Sequence, residues 1–246
     1  MSTLADAPET GSGTLHATLS RRVVAEMLGS AFLIIAVIGS GIMASRLSPA
    51  DVGLELLENA AATAGALIAL ILMFAGVSGA HFNPVVTIVD CLFSTIDRRT
   101  AAFYVVAQTV GACAGSVVAN LMFELPAINI STKVRSSGAL WLSEVVATLG
   151  LLLVIHGCVR SGRATAVPFA VGLWIGGAYW FTSSTSFANP AVTIARTLSN
   201  TFAGIKPSSA PTFIVMQCIG GALAYGLIRY LFPVRVSAQT DRPSTS

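Results

Sequence analysis

The sequence predicts an all-α membrane protein with six transmembrane helices and two re-entrant half-helices, arranged as an inverted repeat. Composition, six long apolar stretches and a duplicated order of motifs lead to this prediction. Hydrophobic residues make up 54% of the 246 residues and charged residues only 10%, against about 25% charged residues in an average soluble protein. Because so few charges cannot cover the surface of a soluble fold, we expect a lipid bilayer to surround the chain.

Six apolar stretches have the length that crosses a bilayer as a helix, roughly 18 to 24 residues. Inside lipid the backbone must satisfy its own hydrogen bonds, so each stretch is predicted to be helical. The predicted spans are residues 23–45, 60–79, 101–123, 139–159, 164–181 and 212–232.

The segments outside these spans suggest the limits and the orientation of the membrane domain. Residues 1–20 and 237–246 are polar and are predicted to be disordered tails, which leaves a membrane domain over residues 21–236. An even number of spans puts both termini on one side, and that side then holds nine of the 14 Lys and Arg residues. Positive charge favours the cytoplasmic side, so both termini are predicted to be cytoplasmic.

The chain also repeats a set of polar motifs in the same order. Each copy has a glutamate early in its first span, then Asn-Pro, then Gln-x-x-Gly; the copies are Glu26, Asn83-Pro84 and Gln108 to Gly111, and Glu144, Asn189-Pro190 and Gln217 to Gly220. Repeat one covers about residues 21–124 and repeat two about residues 138–236. Since each copy has three spans, the second enters the membrane in the opposite direction, and a functional site is expected at the midplane.

The two Asn-Pro motifs predict short helices that meet at this midplane. Asn is a favoured N-cap and Pro a favoured first helical residue, so half-helices should cover residues 84–93 and 190–200. Their N-termini bring positive partial charge to one place, together with the side-chain amides of Asn83 and Asn189. The segments before them place backbone carbonyls along a narrow path, at Gly79, Ala80, His81, Thr185 and Phe187. Such a path would pass small neutral hydrogen-bonding solutes and repel cations.

The segments Ser78-Gly79-Ala80-His81-Phe82-Asn83-Pro84 and Phe187-Ala188-Asn189-Pro190-Ala191 resemble those of the aquaporins, the major intrinsic protein family. The resemblance implies the aquaporin fold, one pore in each subunit of a homotetramer, and a place in the cell's inner membrane. It implies a pore constriction at the two motifs, formed by Asn83, Pro84, Val85, Asn189, Pro190 and Ala191. It also implies that Glu26 and Glu144 support the half-helix loops; the alternative is that these carboxylates carry protons.

The chain departs from the family pattern at positions that select the solute. The first motif has Val85 where Ala is usual, and the second has Val192 where most members have the Arg of the outer filter. By family spacing the other filter positions fall on Thr63, Gly177 and Ser186. All four filter side chains are small, so the expected filter is wide and uncharged.

One arginine and one aspartate lie close to these departures. Arg196 is four residues after Val192, on the same face of the predicted half-helix. It either reaches back and partly replaces the missing filter arginine, or lies at the outer mouth or pairs with a loop carboxylate. Asp90 is its counterpart in the first repeat and is expected to be a solvated residue near the inner mouth.

The run from Ala188 to Arg196, with Val192 at the arginine position, is similar to that of bacterial aquaglyceroporins associated with arsenic resistance. This resemblance implies passage of arsenite, antimonite and related metalloid species as well as glycerol and water. The alternatives are a general water and glycerol facilitator and, in another class, a coupled secondary transporter.

Other classes of function lack the residues that they need. The three histidines form no cluster with Cys or carboxylates in the sequence, so no enzyme activity, metal site or cofactor is expected. The four cysteines form no C-x-x-C pair and are interpreted as packing residues, with Cys91 as the one exception, a position that a thiol-seeking solute would pass. A net charge of +3 with no basic run indicates no nucleic-acid partner.

Overall fold

The computed structural model describes residues 17–233 and confirms the predicted all-helical membrane fold. Within this range six helices are long and apolar enough to cross a membrane, and two shorter helices lie between them. In chain order the helices are α1 (Leu19–Leu47), α2 (Val52–Ser78), α3 (Pro84–Leu92), α4 (Arg98–Met122), α5 (Gly138–Arg160), α6 (Val167–Phe181), α7 (Pro190–Ala195) and α8 (Ala210–Leu231).

The first helix begins earlier than its apolar stretch. α1 starts at Leu19, and the side chain of Thr18 caps it by accepting a hydrogen bond from the backbone N–H of Arg21 at 3.5 Å. The prediction that residues 19–20 belong to a disordered tail is therefore wrong, because capping and helix propensity extend the helix through polar residues. Residues 1–16 and 234–246, which hold most of the first predicted tail and all of the second, lie outside the described residues.

α2 also begins well before its predicted span. It starts at Val52, where Asp51 is the N-cap, rather than at residue 60. Acidic side chains of its first turns are hydrogen-bonded to the end of α1: Ser48 Oγ donates to Glu58 Oε1 at 2.9 Å, and Ser45 Oγ donates to Glu55 Oε1. Negative charge at a helix N-terminus also favours the helix dipole.

The two halves of the chain pack in the same way. α1 packs against α2 and α4, and α5 packs in turn against α6 and α8. Glycines allow the closest approaches: a Cβ on Gly111 of α4 would lie 2.1 Å from the carbonyl oxygen of Met27, and one on Gly220 of α8 would lie 2.6 Å from that of Val145. Small residues at these equivalent positions let the backbones of neighbouring helices approach each other.

The half-helices α3 and α7 lie between the two halves. Each contacts α4 and α8, and the two half-helices contact each other. α7 ends at Ala195 and continues as a 3₁₀ turn over Arg196–Leu198, so it is shorter than predicted. The α-helix stops because the carbonyls of Arg196 and Leu198 accept hydrogen bonds from outside it, from Ile205 N–H at 3.3 Å and Asn129 N–H at 3.0 Å.

We expect Gly111→Ala to destabilise the protein, because the added methyl group collides with the backbone of α1. Overpacking of this kind costs about 1–3 kcal/mol, so the Tm in detergent should fall by several degrees. The matched control is Gly226→Ala in α8, where a Cβ meets no atom within 4 Å. That variant should be as stable as the wild type or slightly more stable, because Ala favours a helix over Gly. Equal Tm values for the two variants would contradict the packing described here.

Candidate functional site

A continuous cavity of about 720 Å³ lies between the helices and contains the two Asn-Pro motifs. Its lining extends from Asp90 and Thr95, near the end of α3, through Asn83 and Asn189 to Arg196, at the end of α7. The wall between these ends is mostly apolar. The cavity thus has polar groups at three levels: two mouths and a centre.

The centre is formed by two asparagines that cap the half-helices and join the two repeats. Asn83 Oδ1 accepts a hydrogen bond from the backbone of α3, and Asn189 Oδ1 accepts two from α7. Asn83 Nδ2 donates to Ala188 O and Asn189 Nδ2 donates to Phe82 O, both at 2.8 Å. Because a side-chain amide has two N–H groups, each asparagine keeps one donor for the cavity.

The loop before α3 is held by a buried carboxylate. Glu26 is 0% exposed, and its Oε1 accepts hydrogen bonds from Ser78 Oγ at 2.6 Å and His81 N–H at 3.0 Å. Its Oε2 accepts from Phe82 N–H and from Gln108 Nε2, both at 2.7 Å. Four donors therefore meet one carboxylate whose negative charge makes each hydrogen bond stronger than a neutral one.

Repeat two holds its loop with the same arrangement. Glu144 is 0% exposed, and its Oε1 accepts from Ser184 Oγ at 2.6 Å and Phe187 N–H at 3.0 Å. Its Oε2 accepts from Ala188 N–H at 2.9 Å and Gln217 Nε2 at 2.6 Å. Neither Glu26 nor Glu144 lines the cavity. The arrangement agrees with a supporting role for both carboxylates.

These carboxylates hold a backbone that L-residues rarely adopt. Several residues of the two loops have positive φ angles: Gly79, Ala80, Phe82, Thr185, Ser186 and Ala188, with φ between 48° and 91°. A non-Gly residue in this region costs on the order of 1 kcal/mol or more. The left-handed residues turn the backbone so that carbonyl groups and N–H groups point in different directions. The N–H groups of the loops reach the buried glutamates. Of the five loop residues predicted to line the path, four line the cavity and Thr185 does not; the four are Gly79, Ala80, His81 and Phe187.

The outer part of the cavity corrects one predicted filter position. Thr63, Ser186 and Val192 line the cavity, but Gly177 is exposed on the outer surface of α6. Tyr179 lies on the cavity side instead, and its hydroxyl is 3.3 Å from the hydroxyl of Thr63. Two residues along a helix correspond to a large rotation about its axis, so counting from the motif selected the wrong face of α6.

An uncharged filter was expected, but the outer part of the cavity carries a positive charge. Arg196 is 2% exposed and lines the outer part of the cavity with its guanidinium 3.4 Å from the ring centroid of Phe187. Its Nε donates to the carbonyl of Ala203, and an arginine carries four further N–H donors. Of the two alternatives for Arg196, the structure thus agrees with a side chain that reaches the filter region.

The loop before α5 adds positive charge at this outer end, which the sequence did not reveal. Arg135 donates to Gly204 O at 2.9 Å and to Ser184 O at 3.2 Å, and its guanidinium faces the Phe187 ring. Burial, together with the positive charges of Arg135 and Arg196, lowers the pKa of Lys133 to about 8. A lysine with this pKa loses its positive charge as the pH rises past about 8. No local motif marks these residues, because the loop reaches the site only in the folded chain.

Val85 at the first motif does not line the cavity. Its Cγ1 lies 2.6 Å from the position that a Cβ on Gly221 would take, so the larger side chain occupies space that Gly221 leaves open. The equivalent pair related by the repeat is Ala191 of α7, which is fully buried, and Ala112 of α4. Val86 lines the cavity in its place. The departure from Ala at this position therefore changes packing behind the pore and leaves the constriction unaltered.

Asp90 is not the solvated residue that was expected. It lines the inner part of the cavity between two histidines, with His81 Nε2 2.9 Å from Oδ2 and His156 Nε2 3.6 Å from Oδ1. His156 comes from the last turns of α5, so the sequence did not associate it with Asp90. Cys91, the next residue, does not line this cavity.

Comparisons with known proteins agree with this architecture. The sequence matches the family described as major intrinsic protein over residues 14–186 and 159–245. It is 48% identical over 229 residues to an aquaglyceroporin, AqpS, of Rhizobium meliloti (strain 1021), a match that covers 93% of this chain and 97% of that protein. It is 30% identical over 223 residues to aquaporin NIP2-1 of Oryza sativa subsp. japonica, covering 86% and 72% of the two chains. The X-ray structure of the aquaglyceroporin from Plasmodium falciparum has a TM-score of 0.66 at 22% identity, with 86% of this chain and 96% of that chain covered, and so has the same fold.

We expect Glu26→Gln to disturb the first half-helix loop and lower solute flux. The amide NH₂ of Gln would face the donors that now meet a carboxylate, and hydrogen bonds to charged groups contribute about 1.5–3 kcal/mol each. Both the Tm in detergent and the permeability of proteoliposomes should fall, the permeability by at least about tenfold. Glu58→Gln on α2 is the control, since Glu58 is half-buried and bonds Ser48 at the opposite end of α1 from Glu26. Wild-type flux through the Glu26 variant would refute the supporting role.

We expect Gly221→Ala to be destabilising and Val85→Ala to rescue it. The single Gly221 variant places a methyl group against Val85 Cγ1, at a cost of about 1–3 kcal/mol. The double variant reproduces the two alanines, Ala191 and Ala112, that occupy the equivalent pair of positions. Thermal unfolding of the two single variants and the double variant measures the coupling free energy. Additive effects would contradict a direct contact between these positions.

Proposed function

The chain belongs to the major intrinsic protein family, and from this premise we propose that it is an aquaglyceroporin-type channel that passes glycerol, water and neutral metalloid hydroxides such as arsenite and antimonite. One observation carries the proposal: the two asparagine amides at the centre of the cavity, each with one N–H free for a solute. We further propose a homotetramer in the cell's inner membrane, with both termini in the cytoplasm.

Neutral solutes are favoured by the charges along the cavity. The N-termini of α3 and α7 direct positive partial charge to the centre, and Arg196 adds a full positive charge in the outer part of the cavity. A cation entering this cavity would lose hydration without gaining a negative partner at the centre. A neutral solute with hydroxyl groups can accept hydrogen bonds from the asparagines and donate to the loop carbonyls.

Passage of solutes larger than water is supported by the side chains of the outer filter. Thr63, Ser186 and Val192 are small, and Ser186 Oγ has no hydrogen-bond partner among the described residues. Arsenite and antimonite are uncharged polyhydroxyl species at neutral pH and resemble glycerol in shape, so a filter that accepts glycerol should accept them.

A narrower alternative is a water and glycerol facilitator without a metalloid role. The position of Arg196 favours it, because a guanidinium in the outer part of the cavity reduces the width that the small residues leave. A coupled transporter has less support. The two buried carboxylates that could carry protons, Glu26 and Glu144, each accept four hydrogen bonds and lie outside the cavity.

The test is solute flux through the purified protein in proteoliposomes. Stopped-flow light scattering measures water and glycerol permeability, and elemental analysis measures arsenite uptake. We expect the wild type to pass all three, and Val192→Arg to reduce glycerol and arsenite by about tenfold or more, equivalent to about 1.4 kcal/mol of barrier. Val192→Leu is the matched control, since it adds bulk without charge.

Three outcomes separate the alternatives. Arsenite flux in the wild type that Val192→Arg abolishes supports the metalloid channel. Glycerol and water flux without arsenite supports the general facilitator. Water flux alone contradicts both and shows that Arg196 closes the filter to larger solutes.

A further inference from the structure

The inner part of the cavity holds a second polar cluster that the central constriction does not use. It consists of His81, Asp90 and His156, all of which line the cavity. Asp90 lies between the two imidazoles, with its Oδ2 2.9 Å from His81 Nε2 and its Oδ1 3.6 Å from His156 Nε2. The side chain of Asp90 is 16% exposed, so the cavity is the place where its free carboxylate oxygen can meet a ligand.

His81 satisfies one oxygen of Asp90 and is itself fixed. Its Nδ1 is 3.1 Å from Thr87 Oγ1 and its Nε2 is 2.9 Å from Asp90 Oδ2. The Thr87 hydroxyl can donate to Nδ1, which places the proton of a neutral imidazole on Nε2, facing the carboxylate. Asp90 Oδ1 is left without such a donor.

The ring nitrogen Nε2 of His156 also lacks a hydrogen-bond partner among the described residues. The residue is 6% exposed, and this nitrogen atom is buried. The ring is held against Phe93, with the two centroids 5.0 Å apart. At 3.6 Å, Asp90 Oδ1 is beyond the usual length of a direct hydrogen bond. A buried polar atom without a partner is unfavourable, so a ligand that bonds it gains free energy.

We propose that Asp90 Oδ1 and His156 Nε2 form an inner binding station for neutral solutes that carry two hydroxyl groups on the same atom or on neighbouring atoms. One hydroxyl donates to the carboxylate, and the second bonds the imidazole nitrogen. His156 Nε2 is buried in this structure, so the imidazole must turn towards the cavity, which His156 already lines, for one small solute to reach both atoms. The inference rests on the proposed function and adds a class of preferred solute, the vicinal and geminal polyols.

The inverted repeat places this station opposite a group of the other sign. Asp90 and Arg196 each lie seven residues after the asparagine of their own motif. Each also contacts the residue two before that asparagine, His81 in one repeat and Phe187 in the other. Equivalent positions therefore provide hydrogen-bond donors at the outer mouth and acceptors at the inner mouth. Hydroxyl groups, which both donate and accept, suit both.

The experiment compares 1,2-propanediol with 1,3-propanediol in proteoliposomes of the full-length protein. The two isomers have the same composition, but only the first has hydroxyls on neighbouring carbons. Flux is measured against concentration for each. In the wild type we expect half-saturation at a several-fold lower concentration of the 1,2 isomer. Asp90→Asn and His156→Phe should each remove this preference by raising the half-saturating concentration of 1,2-propanediol about tenfold. A change of this size is expected for the loss of one hydrogen bond to a charged group or to a buried polar group.

Cys91→Ser is the control, because Cys91 follows Asp90 in α3 but does not line the cavity, and it should keep the preference. Size-exclusion chromatography of each variant shows whether it is folded, and the two independent variants protect the test against the failure of one. Equal half-saturation of the two isomers in the wild type overturns the inference, as does an unchanged preference in both variants. A wild type that passes neither diol nor glycerol overturns the proposed channel itself, which is a distinct result.

Discussion

The structure depends on two buried carboxylates that accept hydrogen bonds from the backbone N–H groups of non-helical loops at membrane depth. Lipid offers no hydrogen-bond partners, so a loop in the middle of a membrane protein is stable only if the protein supplies them. Glu26 and Glu144 each accept two backbone N–H groups, one serine hydroxyl and one glutamine amide. These bonds offset the strain of left-handed residues and leave loop carbonyls free to face the cavity.

The same constraint joins the two halves of the molecule. Once both loops are held, Asn83 can bond the carbonyl of Ala188 and Asn189 that of Phe82, so each half-helix is positioned by the loop of the other repeat. The helices that carry the glutamates are packed against their neighbours through Gly111 and its equivalent. A change in either helix pair therefore moves the central donors, although no helix pair forms the constriction by itself.

Symmetry of the backbone does not require symmetry of chemistry. The two mouths have equivalent geometry, but one places Arg196 on an aromatic ring and the other places Asp90 on an imidazole. Behind the constriction, Val85 of α3 fills space left by a glycine of α8, whereas the equivalent positions in α7 and α4 are both alanines. The fold can accept such exchanges because each is compensated locally, within the contacts of one half-helix. This allows the pore ends to differ while the centre stays the same.

The sequence by itself determined the helices, the inverted repeat and the central motifs, because lipid imposes helix on long apolar segments and because an Asn-Pro pair starts a helix wherever it lies. The supporting role of Glu26 and Glu144 was implied by the resemblance to the aquaporins, and it agrees with the need of a buried carboxylate for donors. Only the tertiary structure decided which side chains face the cavity. Tyr179 rather than Gly177 does so, and His156 meets Asp90 from a helix of the other repeat. These outcomes depend on the rotation and approach of packed helices, and spacing along the chain does not contain that information.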